Sequence, residues 1–252
     1  MADAAHLGLP AGIEAGLFDM DGVLTQTAKV HAAAWKEMFD GYLEQRARAT
    51  GEEFTPFDDD SDYDRYVDGK PRYDGVRDFL ASRGIHLPDG SKDDGPDAET
   101  VAALGNRKNE FVQRLIREKG VEAYPGSIDY VKAAREAGIK TAVVSSSANT
   151  REVLEAAGIL DLFEDIVDGH AVEDRGLKGK PAPDTFLAAA KDLGVDREQA
   201  AVFEDALAGV AAGRAGGFGV VVGVNRSDQA EALREHGADV VVDDLADLMR
   251  GS

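Results

Sequence analysis

Short and nearly continuous apolar runs recur along the chain and are too short to be helices. The runs richest in Val, Ile and Phe are 13–18, 141–144, 200–203, 218–224 and 240–242. Runs of this kind predict strands that are buried on both faces. In the C-terminal half they alternate with segments of helical periodicity, at 127–137, 150–157, 183–193, 207–215 and 229–236. The alternation predicts a doubly wound, Rossmann-like α/β core in which helices cover both faces of a parallel sheet.

The long segment between the first two strand runs has a different pattern. Its helical segments are 30–48, 72–83 and 98–119, and its acidic loops are 55–64 and 87–97. No strand-like run is visible there. We therefore predict an α-helical cap domain at 28–122, inserted into a core domain formed by 1–27 and 123–252. A long irregular decoration of the core is the alternative, although structureless loops of that length are rare in compact domains.

Composition narrows the classes of partner. The 252 residues include 28 Lys and Arg against 48 Asp and Glu, which gives a formal net charge of −20. This charge opposes nucleic-acid phosphates and anionic membranes, so we expect neither as a partner. The chain has no cysteine, which excludes disulfides and thiolate sites. With no signal-peptide pattern at 1–16 and no long apolar run, the sequence predicts a cytoplasmic protein.

Acidic and hydroxyl side chains directly follow three of the predicted strands. Asp19 and Asp21 follow the first strand, residues 145–147 are three serines after the second, and Glu204 and Asp205 follow a later strand. The carboxyl ends of parallel strands share one edge of a sheet, so these groups are expected to converge. Clustered carboxylates repel one another unless a cation neutralises them, and Mg²⁺ prefers oxygen ligands. The pattern predicts a Mg²⁺ site, with solvated turn acids as the alternative.

Two further features favour an anionic ligand at this edge. Lys180 precedes Pro181, which restricts its backbone to extended geometry and suits an ammonium that neutralises a transferring phosphoryl group. A surface lysine is the alternative. Residues 145–149 precede a helix that begins near Thr150, so hydroxyl and N–H groups there could form an anion pocket. A helix N-cap at Asn149 or Thr150 explains part of this pattern equally well.

Four motifs follow one another along the chain. They are Asp19-x-Asp21-Gly22, Ser145-Ser146-Ser147, Lys180-Pro181, and Glu204-Asp205 with the following Gly209. Their order resembles that of the haloacid dehalogenase-like superfamily, and the helical insert after the first motif is similar to the cap of its beta-phosphoglucomutase-like group. Thr27-x-x-x-His31-x-x-x-Trp35 resembles the start of that cap, with Trp35 expected in the core. The resemblance covers nearly the whole chain.

This resemblance implies phosphoryl transfer through an aspartyl phosphate, with Mg²⁺ as cofactor. Asp19 would be the nucleophile and Asp21 the general acid and base. The implied metal ligands are Asp19, the main-chain carbonyl of Asp21, Asp205 and, directly or through water, Glu204. The implied phosphate-binding residues are Ser145, Ser146, Asn149 and Lys180. The implied cap residues that meet the substrate as the cap closes are Thr27, at the hinge, with His31, Lys70 and Arg72.

The chain departs from the pattern of the group near the cap. Gln26 stands where the family usually has Asp, which removes one carboxylate beside the hinge. The cap pattern of the group has a lysine just before a glycine and an arginine three residues after it. Here Asp68 stands in place of that lysine and Lys70 follows the glycine instead, whereas Arg72 fits the arginine expected to grip a distal phosphate. Solvated charges at Lys70 and Arg72, and a partly buried helix histidine at His31, are the structural alternatives.

Three functions remain open at this point. The first is conversion of beta-glucose 1-phosphate to glucose 6-phosphate through a bisphosphate. The second is a phosphatase of the same architecture that hydrolyses small sugar or polyol phosphates, and only the fate of the aspartyl phosphate separates the two. The third is a non-enzymatic phosphoacceptor module, although response-regulator receivers lack a helical insert after the first strand. We expect a small phosphorylated sugar as partner and a monomeric protein.

Overall fold

In residues 4–250, which the computed structural model describes, six parallel strands form one sheet. The strands are β1 (Ala15–Phe18), β2 (Lys140–Val144), β3 (Asp165–Val167), β4 (Ala200–Glu204), β5 (Val220–Val224) and β6 (Val240–Val242). Their order across the sheet is β3-β2-β1-β4-β5-β6, and every neighbouring pair is parallel. The order reverses beside β1, so β1 and β4 lie at the centre. The predicted doubly wound α/β class is confirmed.

Helices connect these strands. In chain order they are α1 (Ala28–Thr50), α2 (Arg72–Ser82), α3 (Val101–Lys119), α4 (Pro125–Glu136), α5 (Thr150–Ala156), α6 (Gly169–Asp174), α7 (Asp184–Asp192), α8 (Leu207–Gly216), α9 (Ala230–His236) and α10 (Ala246–Arg250). The predicted start of α3 at residue 98 is wrong, because the Thr100 side chain accepts the Ala103 N–H and caps the helix there. In this part of the chain no helix is long and apolar enough to cross a membrane.

Both faces of the sheet are buried, because successive side chains of a strand point to opposite faces. On one face Leu17 and Val202 belong to an apolar cluster with residues of α7 and α8. On the other face Phe18 stacks on Phe203 with ring centroids 4.4 Å apart, and both rings meet Tyr130 of α4 edge-on. This packing explains the nearly continuous apolar runs in the sequence.

The chain divides into two compact units. One contains the chain up to Gln26 together with the chain from Val121 onward, and the other is Thr27–Gly120. The second unit has its own core, in which Phe39 lies 4.2 Å from Phe79 and 5.2 Å from Phe57 between ring centroids. The core domain predicted at 1–27 and 123–252 and the cap domain predicted at 28–122 stay predictions. Residues 1–3, 251 and 252 lie outside the described residues.

The segments that leave and re-enter the first unit pair with each other. The Gln26 N–H donates to the Glu122 carbonyl at 2.8 Å, and the Tyr124 N–H donates to the Leu24 carbonyl at 2.9 Å. A short antiparallel bridge joins Thr25 to Ala123 between these two bonds. The loop that follows β1 is therefore anchored at its far end.

Candidate active site

The loop that carries Asp19 continues directly from β1. The Asp19 N–H donates to the Phe203 carbonyl at 2.9 Å, which extends the pairing of β1 with β4 by one residue. The chain then turns, and the N–H groups of Leu24 and Thr25 both donate to the Met20 carbonyl at 2.9 Å. This closed turn holds Asp19 and Asp21 at the carboxyl end of the central strands.

Three carboxylates meet at this edge of the sheet. Asp19, Glu204 and Asp205 each offer one oxygen, and these oxygens all lie within 4.8 Å of one another. Glu204 is fully buried, and Asp19 and Asp205 are each 7 % exposed. The structure therefore brings together three of the predicted metal ligands. The fourth, the main-chain carbonyl of Asp21, lies two residues after Asp19 in the turn.

Two glycines make room for these carboxylates. A Cβ on Gly22 would lie 1.7 Å from Oδ2 of Asp205, and a Cβ on Gly209 would lie 1.7 Å from Oε1 of Glu204. Gly22 also has a φ of +83°, which favours glycine for a second reason. The glycines of the first and last motifs are thus steric requirements of the carboxylate cluster as well as turn residues.

Lys180 lies in the middle of the cluster. Its Nζ is 2.5 Å from Oδ1 of Asp19 and 2.6 Å from Oε1 of Glu204, and it donates to the Val144 carbonyl at 2.9 Å. The same ammonium lies 5.0 Å from the ring centroid of Phe186. The ammonium thus donates hydrogen bonds to Asp19 and to the Val144 carbonyl, and it forms an ion pair with Glu204. Lys180 is 2 % exposed, and the surface-lysine alternative is therefore wrong.

The electrostatics of this group fit a cation. Burial raises the pKa of Glu204 to about 7, even though the attraction of Lys180 opposes the shift. Burial also lowers the pKa of Lys180, but attraction to Asp19 and Glu204 outweighs it, and the net pKa is raised. Once Glu204 is ionised, above a pH of about 7, three carboxylates face one ammonium, and two negative charges remain among these four side chains. A hard divalent cation with oxygen ligands matches both that charge and that donor set.

The hydroxyl loop follows β2 beside this cluster. The Ser145 N–H donates to the Val167 carbonyl at 3.0 Å, so β3, which the sequence analysis missed, supports the loop. Hydroxyl oxygens accept main-chain N–H groups at 3.1 Å, Ser145 from Ser147 and Ser147 from Asn149. Ser145 and Asn149 are buried, and Ser146 is half-buried. Asn149 is the N-cap residue of α5, as one alternative expected, but its side chain makes no capping hydrogen bond to the helix.

The second unit contains a buried lysine that the sequence analysis missed. Lys108 on α3 is 6 % exposed, and its Nζ lies 2.9 Å from Nδ1 of His31 and 4.8 Å from the ring centroid of Trp35. An ammonium cannot accept, so Nδ1 of His31 accepts and the ring proton lies on Nε2. Burial, followed by the charge of Lys108, lowers the pKa of His31. The two residues lie 77 positions apart, and no local pattern links them.

The other predicted cap residues have partners within the same unit. Thr27 is buried immediately before α1. The Nζ of Lys70 lies 2.6 Å from a carboxylate oxygen of Asp78. Arg72 donates to the Tyr73 hydroxyl at 3.0 Å, and its Cζ lies 4.9 Å from the centroid of that ring. Lys70 is therefore neutralised by an acidic neighbour, whereas Arg72 stacks on an uncharged one.

Comparisons with known proteins identify relatives along nearly the whole chain. Residues 13–217 match the haloacid dehalogenase-like hydrolase family. A protein named beta-phosphoglucomutase from Mycobacterium bovis is 58 % identical over 246 residues, which cover 96 % of this chain and 94 % of that one. An uncharacterized glycosyl hydrolase of Mycobacterium tuberculosis is 38 % identical over 95 % of this chain but only 18 % of its own length. The crystal structure of beta-phosphoglucomutase from Clostridium difficile superimposes with a TM-score of 0.71 at 28 % identity, covering 94 % and 93 % of the two chains.

Proposed function

The chain belongs to the haloacid dehalogenase-like hydrolase family, and we propose that within this family it is a beta-phosphoglucomutase. In this function it converts beta-glucose 1-phosphate to glucose 6-phosphate through a bisphosphate. The observation that carries the proposal is the similarity to the Mycobacterium bovis protein of that name, which extends over almost the full length of both chains. The carboxylate cluster supplies the groups that the chemistry needs.

The first half of the reaction transfers a phosphoryl group to the protein. A carboxylate oxygen of Asp19 attacks a phosphorus of glucose 1,6-bisphosphate, the bond from that phosphorus to the sugar oxygen breaks, and Asp21 gives its proton to the leaving oxygen of the sugar monophosphate. Lys180, 2.5 Å from Asp19, holds the nucleophile in place before the attack. The product is an aspartyl phosphate on Asp19.

The second half reverses these roles on a different hydroxyl. The 6-hydroxyl of beta-glucose 1-phosphate gives its proton to Asp21 as its oxygen attacks the aspartyl phosphate, which frees Asp19 and forms the bisphosphate. The bisphosphate then turns and returns its other phosphoryl group to Asp19, and glucose 6-phosphate leaves. A water molecule in place of the sugar hydroxyl would make the same site a phosphatase.

The proposed cofactor is Mg²⁺. Asp19, Glu204, Asp205 and the main-chain carbonyl of Asp21 would hold it. When bound, it supplies positive charge that offsets the charge on the transferring phosphoryl group. The uncompensated charge of the cluster supports this assignment, as does the space that Gly209 leaves for Glu204.

Ser145, Ser146, Asn149 and Lys180 are proposed to bind phosphate oxygens. The Ser145 hydroxyl and the Lys180 ammonium already have partners in the protein. Phosphate must therefore replace some of these contacts when it binds. Thr27, His31, Lys70 and Arg72 remain predicted contributors to substrate binding.

A second observation supports a sugar phosphate as substrate. In the Mycobacterium tuberculosis relative named as a glycosyl hydrolase, the segment similar to this chain is a small part of a much longer protein. Its attachment to a polypeptide named for cleaving glycosides fits a neighbouring reaction on sugars. A monomeric state stays a prediction.

A phosphorus NMR time course tests the proposal, with Mg²⁺, beta-glucose 1-phosphate and a trace of glucose 1,6-bisphosphate. The expected result is glucose 6-phosphate without inorganic phosphate, abolished by Asp19→Asn and strongly reduced by Asp21→Ala. Asp174→Asn, at an exposed position on α6, is the matched control and should keep wild-type rates. Activity that survives Asp19→Asn would overturn the nucleophile assignment.

Two observations support a phosphatase as the second candidate function. The matching family is named for hydrolases, and Gln26 replaces an acid usually found beside the hinge. Inorganic phosphate released in step with substrate loss, with no glucose 6-phosphate, would establish this alternative and reject the mutase.

A further inference from the structure

Arg226 lies between β5 and α9, outside the four motifs. Its Nε donates to the Gly22 carbonyl at 2.7 Å, although 204 positions separate the two residues in the sequence. Gly22 immediately follows Asp21, the proposed acid and base. A guanidinium therefore holds the main chain of the loop that carries one catalytic carboxylate.

Other contacts fix this guanidinium in one orientation. Its Cζ lies 3.6 Å from the centroid of the Tyr124 ring, and its Nη1 donates to the Asp243 carbonyl at 2.8 Å and lies 3.7 Å from a carboxylate oxygen of Asp244. The side chain is 17 % exposed. A planar group that is stacked on one face and donates through both Nε and Nη1 has little freedom to rotate.

The Gly22 peptide has little room to move. Its N–H donates to the Thr25 carbonyl at 2.8 Å, and its α-carbon faces the Asp205 carboxylate so closely that a Cβ would overlap Oδ2. The carbonyl of the same residue is the acceptor for Arg226. A shift of Gly22 would therefore move the adjoining Asp21 and change the packing against the Asp205 carboxylate.

Tyr124 connects the same loop to the segment that re-enters the unit. Its N–H donates to the Leu24 carbonyl, and its ring supports the guanidinium that holds Gly22. The loop from Asp21 to Thr25 is thus fastened twice, once by main-chain pairing and once through Arg226. Both fastenings lie within the unit that holds the carboxylate cluster.

We propose that Arg226 is a positioning residue for phosphoryl transfer. It fixes the carbonyl of Gly22, and through that residue it holds the adjoining Asp21 and the Asp205 metal ligand in their relative positions. The inference rests on the proposed function, because it assigns Arg226 to the acid and base and the metal ligand of that reaction. Arg226 acts on the protein and not on the sugar.

The test compares Arg226→Leu and Arg226→Lys with the wild type. The lysine keeps the charge but loses the planar stack and the forked donors. Loss of a group that orients a metal ligand typically reduces activity or metal affinity about 10- to 100-fold. We expect kcat to fall by that factor in Arg226→Leu and by less in Arg226→Lys, with KM for beta-glucose 1-phosphate within about twofold. Arg175 pairs with Asp192 through its guanidinium, outside the proposed active site. Arg175→Lys is therefore the matched control and should keep wild-type kinetics.

A readout without turnover separates positioning from a purely structural role. The rise in Tm on adding Mg²⁺ measures metal binding to the folded protein. Arg226→Leu should require a higher Mg²⁺ concentration for the same rise, while Arg175→Lys matches the wild type. Unchanged kcat and Mg²⁺ response in a folded Arg226→Leu would overturn the proposal. So would a rise in KM at constant kcat, because that pattern belongs to a substrate contact.

Hydrolysis of acetyl phosphate distinguishes failure of this proposal from failure of the mutase assignment. That reaction needs the aspartyl phosphate and Mg²⁺ but no sugar. A wild type that hydrolyses acetyl phosphate without isomerising the sugar phosphate would reject the mutase, and a loss in Arg226→Leu would still support positioning. Equal rates in wild type and both variants would reject the role of Arg226 alone. A wild type inactive in both assays would overturn both proposals.

Discussion

Replacing Gly209 by alanine adds one methyl group at the base of the carboxylate cluster. The new Cβ would lie 1.7 Å from Oε1 and 1.9 Å from Cδ of Glu204, whereas nonbonded atoms need roughly 3.5 Å. The carboxylate must therefore retreat by about 2 Å, which breaks its 2.6 Å contact with Lys180. Both side chains are buried, so neither charge regains water in exchange.

The magnitude follows from two opposing effects. Breaking a buried ion pair from one side typically destabilises a protein by about 3–5 kcal/mol. Alanine in place of glycine within a helix returns at most about 1 kcal/mol. We therefore expect Gly209→Ala to lower the free energy of unfolding by about 2–4 kcal/mol. The displaced Glu204 should also raise the Mg²⁺ concentration needed for half-maximal acetyl phosphate hydrolysis by about tenfold or more.

Urea denaturation at pH 8 measures the first effect, because Glu204, with a pKa of about 7, is ionised there. Gly41→Ala is the matched control: it makes the same change within α1, where nothing lies within 4 Å of the added Cβ. That variant should gain about 0.5–1 kcal/mol. A Gly209→Ala protein that gains stability like the control and keeps wild-type Mg²⁺ dependence would refute the steric argument.

Three further predictions concern single charges. The pKa of His31 is held below its usual value by burial and then by Lys108, so the unfolded chain takes up a proton as the pH falls below about 6.5. The free energy of unfolding of the wild type should fall by up to about 1.4 kcal/mol per pH unit there. Measured by urea denaturation from pH 7 to 5, this free energy should depend less on pH in His31→Gln, and parallel pH profiles for the two proteins would contradict the prediction. Arg72→Ala should reduce mutase turnover far more than acetyl phosphate hydrolysis, while Arg77→Ala on the same helix leaves both unchanged; equal losses would exclude Arg72 from the sugar-phosphate grip. Lys180→Met should destabilise the metal-free protein by about 3–5 kcal/mol and less so with Mg²⁺, as measured by denaturation with and without the metal; an unchanged midpoint would show that the buried ion pairs contribute no net stability.

The sheet could be predicted because its central strands are buried on both faces and carry almost no polar residues. The short edge strand β3 begins with Asp165 and is only partly buried, so it shows no apolar run. Helix α6 spans Gly169–Asp174, and α10 is also short. Each is too brief to display helical periodicity, and the side chain of Asp168, which accepts two N–H groups, defines the start of α6.

The candidate site was predictable to the extent that its residues follow strand ends. Asp19 and Glu204 belong to this class, because the order of strands alone brings them to one edge. The contacts of Lys180 with both carboxylates required the structure, since the lysine lies 161 positions from Asp19. Lys108 could not be found at all, because a lysine on a helix is ordinarily a solvated residue.

Gly22 shows where the two kinds of information meet. Its place after Asp21 predicts a turn glycine, and its φ of +83° fits that interpretation. The structure adds two constraints that no local pattern contains, the Asp205 carboxylate against its α-carbon and the Arg226 donor on its carbonyl. A turn needs only the backbone conformation, whereas this site also needs the absence of a side chain and a fixed peptide plane. Gly22 therefore serves as a turn residue, as the space beside Asp205 and as the acceptor for Arg226. Of these three roles, the sequence displays only the turn.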